Sequence, residues 1–347
     1  MRRALGIALA GLGAFLLVLA LLVRGYVDNK LIKYPLNEYE TTALQGSGIS
    51  YFSPSVLKEV HGVTIRTTST VKSVPRSGTS STAVWDEFSY LYDETNHRQY
   101  QVQTMQFAFN RRTGELVNCC GSNVNGNTSI LQTGLAQGLW PFGTKPQTYQ
   151  VSDPVLNKAR PARYAGTSTI DGISVYRFVE HVAPTPVTHI QFPPALAGMP
   201  GKGLVTLTEV YTGTNTFWVD PVTGAQLDTT QSQQLSLVDD TGVQRLLLYD
   251  GTLRFTPQSV LKVAGIDKSG HSQYDLVVTT LPLAGGLAGL VALAAGILLA
   301  WRRPHEQPRP ADGVAVEPAA EPGGAEQGKG EQLSAAAERP SGSAQDE

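Results

Sequence analysis

The sequence is poor in the side chains from which metal, redox and nucleophilic sites are built. Its 347 residues include only two cysteines, six histidines and three methionines. It contains no Gly-x-Ser-x-Gly, His-Glu-x-x-His or Cys-x-x-Cys motif, and neither a phosphate-binding loop nor a dinucleotide fingerprint. We therefore expect no enzyme activity, no catalytic or cofactor-binding residue, no metal site and no cofactor.

An excess of charge is also missing. The chain has 27 basic and 29 acidic residues, a formal net charge of −2, so nothing points to a nucleic-acid partner. What it has instead is 35 glycines, 21 prolines and 13 tyrosines. This composition favours a protein of strands and turns over a helical one.

Two uncharged stretches, residues 4–23 and 281–301, are long enough to cross a bilayer as helices. The first lies within residues 1–27, and a cleaved signal peptide is its alternative. We favour an uncleaved signal anchor, because the run exceeds the ~7–15 apolar residues of a signal peptide and no small-x-small cleavage site follows. In the second stretch, the spacing of Gly285 and Gly289 could support helix contact.

The charges that flank these stretches predict the topology. Arg302, Arg303 and Arg309 follow the second stretch and favour a cytoplasmic C-terminus, whereas the charges around the first do not discriminate. We predict a two-pass cell-membrane protein with both termini in the cytoplasm and residues 28–278 outside. The tail, residues 302–347, is rich in Pro, Glu, Gly and Ala and is predicted to be disordered and cytoplasmic.

Alternating polar and apolar residues around turn signals predict three β-hairpins, in residues 98–117, 167–182 and 216–228. In the first and third hairpins, an Asn or Asp side chain can bond its own backbone, and a glycine supplies a positive φ. These pairs are Asn110 with Gly114 and Asp220 with Gly224. The turn of the second hairpin is Asp171-Gly172.

Two similar segments, residues 51–62 and 254–265, are both interpreted as short helices. Ser53 or Thr256 would be the N-cap, and the following proline would occupy the first helical position. Together with the hairpins, this echo suggests two tandem related β units, residues 28–160 and 161–278. The predicted fold class is therefore mainly β (α+β), flanked by N- and C-terminal transmembrane helices.

Cys119 and Cys120 are adjacent, and outside the cell they have no other thiol in the chain as a partner. A bond between neighbours is strained, because their Cα atoms lie ~3.8 Å apart whereas disulfides usually span ~4.4–6.8 Å. Asn118 and Gly121 would tolerate the tight turn that it forces. We favour a Cys119–Cys120 disulfide; a reduced pair, an intermolecular bridge and a thiol switch remain as alternatives.

Several segments together resemble an actinobacterial group, the PorA family, long a domain of unknown function. They are "FNRRTGELVNCCG", "LWPFGTKPQTYQVSD", "YAGTSTIDGISVYRF", "KYPLNEYETTALQGSG" and "LRFTPQSVLK". The resemblance covers about residues 1–301. It implies a two-helix envelope protein with a large exported domain, and some relatives are implicated in glycolipid assembly or lipid trafficking.

The expected function is that of a non-catalytic envelope protein. Its exported β domain would bind or help handle lipid or glycolipid, or envelope-assembly proteins, with the bilayer itself as a partner. The alternative is a structural or sensory protein that links the exterior to cytoplasmic partners through its tail. A porin-like channel is disfavoured, because long apolar helices are typical of inner-membrane proteins and neither helix carries a polar stripe.

Overall fold

The computed structural model describes residues 2–26 and 32–301. The helices are α1 (Arg2–Tyr26), α2 (Pro257–Tyr274) and α3 (Leu281–Trp301), and a π-helical turn, Asp275–Thr280, joins α2 to α3. Short 3₁₀ turns lie at Pro75–Ser77 and Pro194–Ala197. The strands are β1 (Tyr39–Ser53), β2 (Lys58–Ser73), β3 (Thr82–Asp93), β4 (Arg98–Asn110), β5 (Leu116–Val117), β6 (Asn123–Val124), β7 (Tyr149–Asp153), β8 (Lys158–Ile170), β9 (Ile173–Phe192), β10 (Val205–Val219), β11 (Gln226–Val238) and β12 (Gln244–Phe255).

The strands form one antiparallel sheet that curls into a half-barrel. Its order is β5-β4-β3-β2-β1-β12-β11-β10-β9-β8-β7, and β6 pairs with β4. The curl is strong enough for the Tyr100 hydroxyl on β4 to donate to the Leu248 carbonyl on β12, at 3.3 Å, across three intervening strands. The predicted fold class, mainly β with flanking apolar helices, is confirmed.

β1 and β12, the first and last strands in chain order, are neighbours at the centre of the sheet, where Leu44 pairs with Phe255. Because the two strands are antiparallel, the chain enters and leaves the sheet at the same end. We call this the helix end, since α2 follows β12 directly there. The opposite end of the strands is the distal end.

Helices α1 and α3 pack against each other in antiparallel orientation through pairs of glycines. A Cβ at Gly6 would lie 2.9 Å from the Gly296 carbonyl oxygen, and one at Gly289 would lie 2.9 Å from that of Gly13. Only glycine permits so close an approach of two backbones. Of the two glycines predicted from spacing, Gly289 makes such a contact and Gly285 has nothing within 4 Å.

Both Arg2–Tyr26 and the continuous run Pro257–Trp301 are long and apolar enough to cross a membrane. Their antiparallel packing brings Arg2 and Trp301 to the same end of the helix pair. This arrangement agrees with a two-pass protein, although the side on which the termini lie stays a prediction. The predicted disordered tail, 302–347, falls outside the described residues.

The three predicted hairpins are present. Asn110 Oδ1 accepts the backbone N–H groups of Arg112 and Thr113, and Asp220 Oδ1 accepts that of Val222. Gly114 and Gly224 have φ angles of 73° and 75°. The turn of the second predicted hairpin, Asp171-Gly172, joins β8 to β9. Its φ angles of 47° and 81° are the positive values of a tight hairpin.

One of the two predicted short helices is wrong. Residues 54–57 are a turn between β1 and β2, and Ser53 is the last residue of a strand rather than a helix cap. The second prediction is confirmed, because α2 begins at Pro257 and the Thr256 side chain accepts the Ser259 N–H. The two segments are therefore not equivalent in the fold.

The connection between β6 and β7 packs against both halves of the sheet. Its Trp140 stacks on Phe178 of β9, with ring centroids 4.5 Å apart. The backbone of the connection approaches Gly114 and Gly224 so closely that a Cβ at either glycine would clash with it. The proposed division into residues 28–160 and 161–278 stays a prediction; residues 160 and 161 lie within β8 of the shared sheet.

Candidate functional site

Three ionisable side chains meet at the helix end of the sheet. Asp220 opens the turn between β10 and β11, whereas Asp267 and His271 lie four residues apart on α2. Residues at this spacing occupy one face of a helix. One potential ligand atom from each residue lies within 4.8 Å of those from the other two. We call Asp220, Asp267 and His271 the helix-end cluster.

Asp220 is fixed by bonds to both elements. Its Oδ1 accepts the Val222 N–H at 2.7 Å, as expected of an Asp that organises its own turn, and its Oδ2 lies 2.8 Å from His271 Nδ1. Asp220 is completely buried. The contact with His271 therefore ties the β10–β11 turn to α2.

Asp267 is only half satisfied. Its Oδ1 accepts the Thr223 hydroxyl at 2.5 Å, which adds a second bond from α2 to the same turn. Its Oδ2 is buried and accepts no hydrogen bond from a donor within residues 2–26 and 32–301, although the Asp267 carboxyl group lies within hydrogen-bond reach of the Asp220 carboxyl group. A buried carboxylate oxygen without a donor is uncommon in proteins, and it needs a proton, a water molecule or a cation.

The pKa values of the cluster reflect its burial. Burial raises the pKa of Asp267, to about 7, and the neighbouring Asp220 adds to this rise. The hydrogen bond to Asp220 is the main cause of a raised pKa for His271. The two shifts agree physically, because positive charge is favoured where two carboxylates are held together.

An open cleft of about 680 Å³ borders the cluster. Polar side chains from the β8–β9 turn, the start of β9 and α2 share its lining with the backbone of the β10–β11 turn. Across the cleft, Lys268 Nζ bonds Asp171 Oδ2 at 2.7 Å. The polar residues on its wall are Asp171, Ser174, Asp220, Lys268, His271 and Ser272.

A second buried acidic group, which we call the enclosed cluster, lies within the β7–β10 part of the sheet. It consists of Asp153, Arg160, Glu180, Tyr211 and Asn215. The Asn215 amide donates to Glu180 Oε2 at 2.8 Å. Each of the five residues nevertheless has one buried polar atom without a partner among the described residues.

Electrostatics and hydrogen bonding differ within the enclosed cluster. Burial raises the pKa of Glu180 to about 7, and the nearby Asp153 raises it further. Asp153 is better supported, because its Oδ1 accepts two backbone N–H groups in the β7–β8 turn, from Val155 and Leu156. Glu180, Tyr211 and Asn215 line neither the cleft beside the helix-end cluster nor a small cavity of about 20 Å³ beside Met105 and Phe107.

The predicted disulfide residues lie elsewhere. Cys119 and Cys120 occupy the β5–β6 connection, at the opposite edge of the sheet from the β7–β10 strands, and their sulfurs are adjacent. Cys120 and Gly121 adopt positive φ angles of 61° and 88°, and Ser122 N donates to the Cys119 carbonyl. A tight turn is therefore present. The bonded state of the thiols stays a prediction, for which a peptide mass two hydrogens lower is the test.

Sequence reasoning missed the helix-end cluster altogether. The predicted helix stopped at residue 265, so Asp267 and His271 had no assigned face, and Asp220 was interpreted only as a turn residue. The available signal was the Asp-x-x-x-His spacing in a segment that continues a capped helix. The pairing with Asp220, 51 residues earlier than His271, had no local signal.

The contacts of the second imidazole nitrogen of His271 bear on what the cluster can do chemically. A catalytic His–Asp pair needs a nucleophile or a substrate-binding face at its second nitrogen. Here His271 Nε2 lies 3.4 Å from Asp275 Oδ2, and the structure places no hydroxyl or thiol in hydrogen-bond contact with it among the described residues.

The fold and site together define a class: a half-barrel sheet carried on two antiparallel apolar helices, with a polar cleft beside the second helix. Membrane association follows from the helices. The family described as Porin PorA matches residues 5–298, and the chain belongs to this family. The family predicted from the sequence is thus confirmed. Among curated proteins, none matches the chain.

Proposed function

We propose that the chain is a non-catalytic cell-envelope membrane protein whose exported β domain binds the head groups of envelope lipids or glycolipids. The observation that carries this proposal is the polar cleft beside α2, close to where the apolar part of the helix begins. Asp171, Lys268 and Ser272 would provide its charged and hydroxyl contacts.

The height of the cleft above the bilayer supports this function. Asp275 is the last charged residue before the uncharged run that ends at Trp301. At ~1.5 Å of rise per residue, Ser272 lies about 6 Å above Leu276 and about 14 Å above Leu281. The head-group region of a bilayer adds ~5–8 Å beyond the hydrocarbon on each side, so the cleft borders that layer.

The chemistry of the lining also fits a head group. Lys268 and the hydroxyls of Ser174 and Ser272 can donate to phosphate or sugar oxygens, while Asp171 can accept from sugar hydroxyls. The acyl chains would remain in the bilayer. A lipid held inside the sheet has less support, since the enclosed cavity beside Met105 and Phe107 is only about 20 Å³, enough for one water molecule.

Native mass spectrometry of the full chain, purified in mild detergent, tests this function. We expect a lipid adduct that is reduced at least ~10-fold by Lys268→Ala combined with Ser174→Trp, which fills the cleft. The matched control is Lys202→Ala, an exposed lysine in the β9–β10 connection at the distal end. Equal adducts in the cleft variant and the control would refute the proposal.

A second candidate function is a structural or sensory link, because α2 is bonded to the sheet along its length. Ser259 Oγ donates to the Ala43 carbonyl, and Lys262 Nζ donates to that of Thr41, so a change in the sheet would reach the apolar helix. Pull-downs with and without residues 302–347 test this link. Identical partners in both would argue against it.

A channel has the least support, despite the word porin in the family's description. Apart from Arg2, Arg3 and Arg24 near its ends, α1 is uncharged, and α3 contains no charged residue. We expect no ion conductance from the purified chain in planar bilayers. Reproducible single-channel steps would reverse that ranking.

A further inference from the structure

We propose that Asp220, Asp267 and His271 bind a divalent transition cation of the Zn²⁺ class, which would join the β10–β11 turn to α2. This inference is independent of the lipid proposal. It rests on the positions and bonds of three side chains, and it can be tested without lipid.

The donor set suits such an ion. One imidazole nitrogen and two carboxylate oxygens are a ligand combination that Zn²⁺ accepts, with water in a fourth position. Hard cations such as Mg²⁺ prefer oxygen donors alone and retain several waters. The imidazole of His271 therefore favours a transition metal.

The three ligands are held in place by the fold. Asp267 and His271 share one face of α2, and the Thr256 cap fixes the start of that helix. The Asp220 backbone lies in a turn closed by bonds to Gly224 and Ala225. A cation would thus meet ligands already within 4.8 Å of one another and would need to reorganise little more than the His271–Asp220 contact.

The unpartnered oxygen of Asp267 points independently to a ligand. Asp267 is 4 % exposed, and in the described part of the chain its Oδ2 accepts no hydrogen bond from a donor and has another carboxyl group, that of Asp220, as a neighbour. Coordination would satisfy this atom and offset the charge of two neighbouring carboxylates at once, in competition with a proton shared between Asp267 and Asp220. A cavity water could satisfy the atom but not the charge.

The charged side chains next to the cluster are either paired elsewhere or acidic themselves. Lys268 is the nearest described cation on α2, and it is paired with Asp171 on the other side of the cleft. Asp275 brings a further carboxylate to within 3.4 Å of His271 Nε2. Three carboxyl groups, those of Asp220, Asp267 and Asp275, therefore surround the imidazole of His271.

A cation could reach the cluster from solvent through the cleft. Asp220 and His271 are part of its wall, so an ion between them could keep a water ligand that faces the cleft. Asp267, which is buried behind them, would close the site from the inside. This open position is where a phosphate or carboxylate oxygen of a bound molecule could later replace the water.

Calorimetric titration of the full chain in detergent, after removal of metals and lipid, tests the site. We expect one equivalent of Zn²⁺ to bind, and Co²⁺ to give the visible absorption of a four-coordinate complex. Asp267→Asn and His271→Gln should each weaken binding by more than the ~10–100-fold cost of losing an outer-shell partner. Mg²⁺ should not bind saturably.

Two control variants distinguish this site from surface binding. His189→Gln removes an exposed histidine that bonds Thr208 on the sheet, and Asp275→Asn removes the carboxylate outside the ligand set. Both should retain the one-equivalent step. Unchanged near-UV circular dichroism shows that the ligand variants fold. Absence of a saturable step, or an unchanged step in folded Asp267→Asn, overturns the proposal.

Discussion

The helix-end cluster and the enclosed cluster are both built around two buried acids, but they differ in what they can reach. Asp220 and His271 border an open cleft, whereas Asp153 and Glu180 are shut inside the sheet and have Arg160 as a neighbour. A group of buried acids beside an open cleft can recruit a ligand from solution. A closed one can respond only by changing its protonation.

The comparison shows that burial alone does not identify a binding site. Both clusters contain carboxylates with raised pKa values and polar atoms without partners. Accessibility and the presence of a metal-ligating nitrogen separate them. His271 contributes such a nitrogen at the helix end, while the enclosed cluster has an arginine, a phenol and an amide instead.

The largest expected effect is a loss of stability when one acid of each cluster is replaced by alanine. Asp220→Ala should lower the free energy of unfolding by about 3 kcal/mol, because it leaves the Val222 N–H without its acceptor and also removes the bond to His271 that ties the turn to α2. Asp153→Ala should cost only about 1–2 kcal/mol, since the N–H groups of Val155 and Leu156 lie in a partly exposed turn.

Denaturation of the full chain in detergent, followed by tryptophan fluorescence, measures both losses. Asp220→Asn is the matched variant, because it keeps an oxygen for the Val222 N–H and should recover part of the loss. A larger loss for Asp153→Ala than for Asp220→Ala would show that the enclosed cluster is the more important of the two for stability.

The next effect is the contribution of Glu180, in the enclosed cluster, to the pH dependence of stability. The pKa of Glu180 is raised by burial from 4.5 to about 7, so the folded chain binds a proton that the unfolded chain releases. Its contribution to stability is complete below pH 4.5 and is lost as pH rises through about 7, amounting to at most ~3 kcal/mol.

Glu180→Gln removes this titration and should flatten the decline of stability between pH 5 and pH 8. The glutamine can still accept from the Asn215 amide. The exposed Glu115→Gln on the β4–β5 turn serves as the control and should leave the pH profile unchanged. If the two profiles coincide, Glu180 does not govern this part of the pH dependence.

The smallest effect concerns a hydroxyl of the enclosed cluster. Tyr211→Phe should change stability by less than about 0.5 kcal/mol, because its buried hydroxyl approaches Asp153 and Asn215 without a well-directed hydrogen bond to either. Tyr51→Phe is the contrast, since its hydroxyl donates to Asp93 at 2.8 Å, and it should cost about 1–2 kcal/mol. Equal losses in the same unfolding assay would mean that water bridges Tyr211.

Local patterns in the sequence predicted the hairpins and the apolar helices, because each depends on residues close together in the chain. The segments 51–62 and 254–265 show where such patterns fail. In the second segment, Ser259 stands three residues after Thr256, and its N–H donates to the Thr256 side chain. The first segment has one residue fewer between its proline and the shared Val-Leu-Lys, so Val56 stands three residues after Ser53.

The residues that follow each of the two segments also determine whether it forms a turn or a helix. Val60, Val63 and Ile65 continue the first segment with residues that favour strands, and they pair with β1. The second segment continues without a β-branched residue from Asp267 to Leu276, and the helical run extends into α3. The helix-end cluster could not be predicted in the same way, since it depends on long-range packing of α2 against a turn.

The central position of β1 and β12 has a consequence for synthesis. β1 is made first, but its second neighbour, β12, is the last strand of the sheet. Until the chain has been synthesised almost to α2, one edge of β1 has unpaired backbone groups that could bind another chain. The final strand closes that edge just before the second apolar helix is made, so completion of the sheet and anchoring of the C-terminal segment become nearly simultaneous steps.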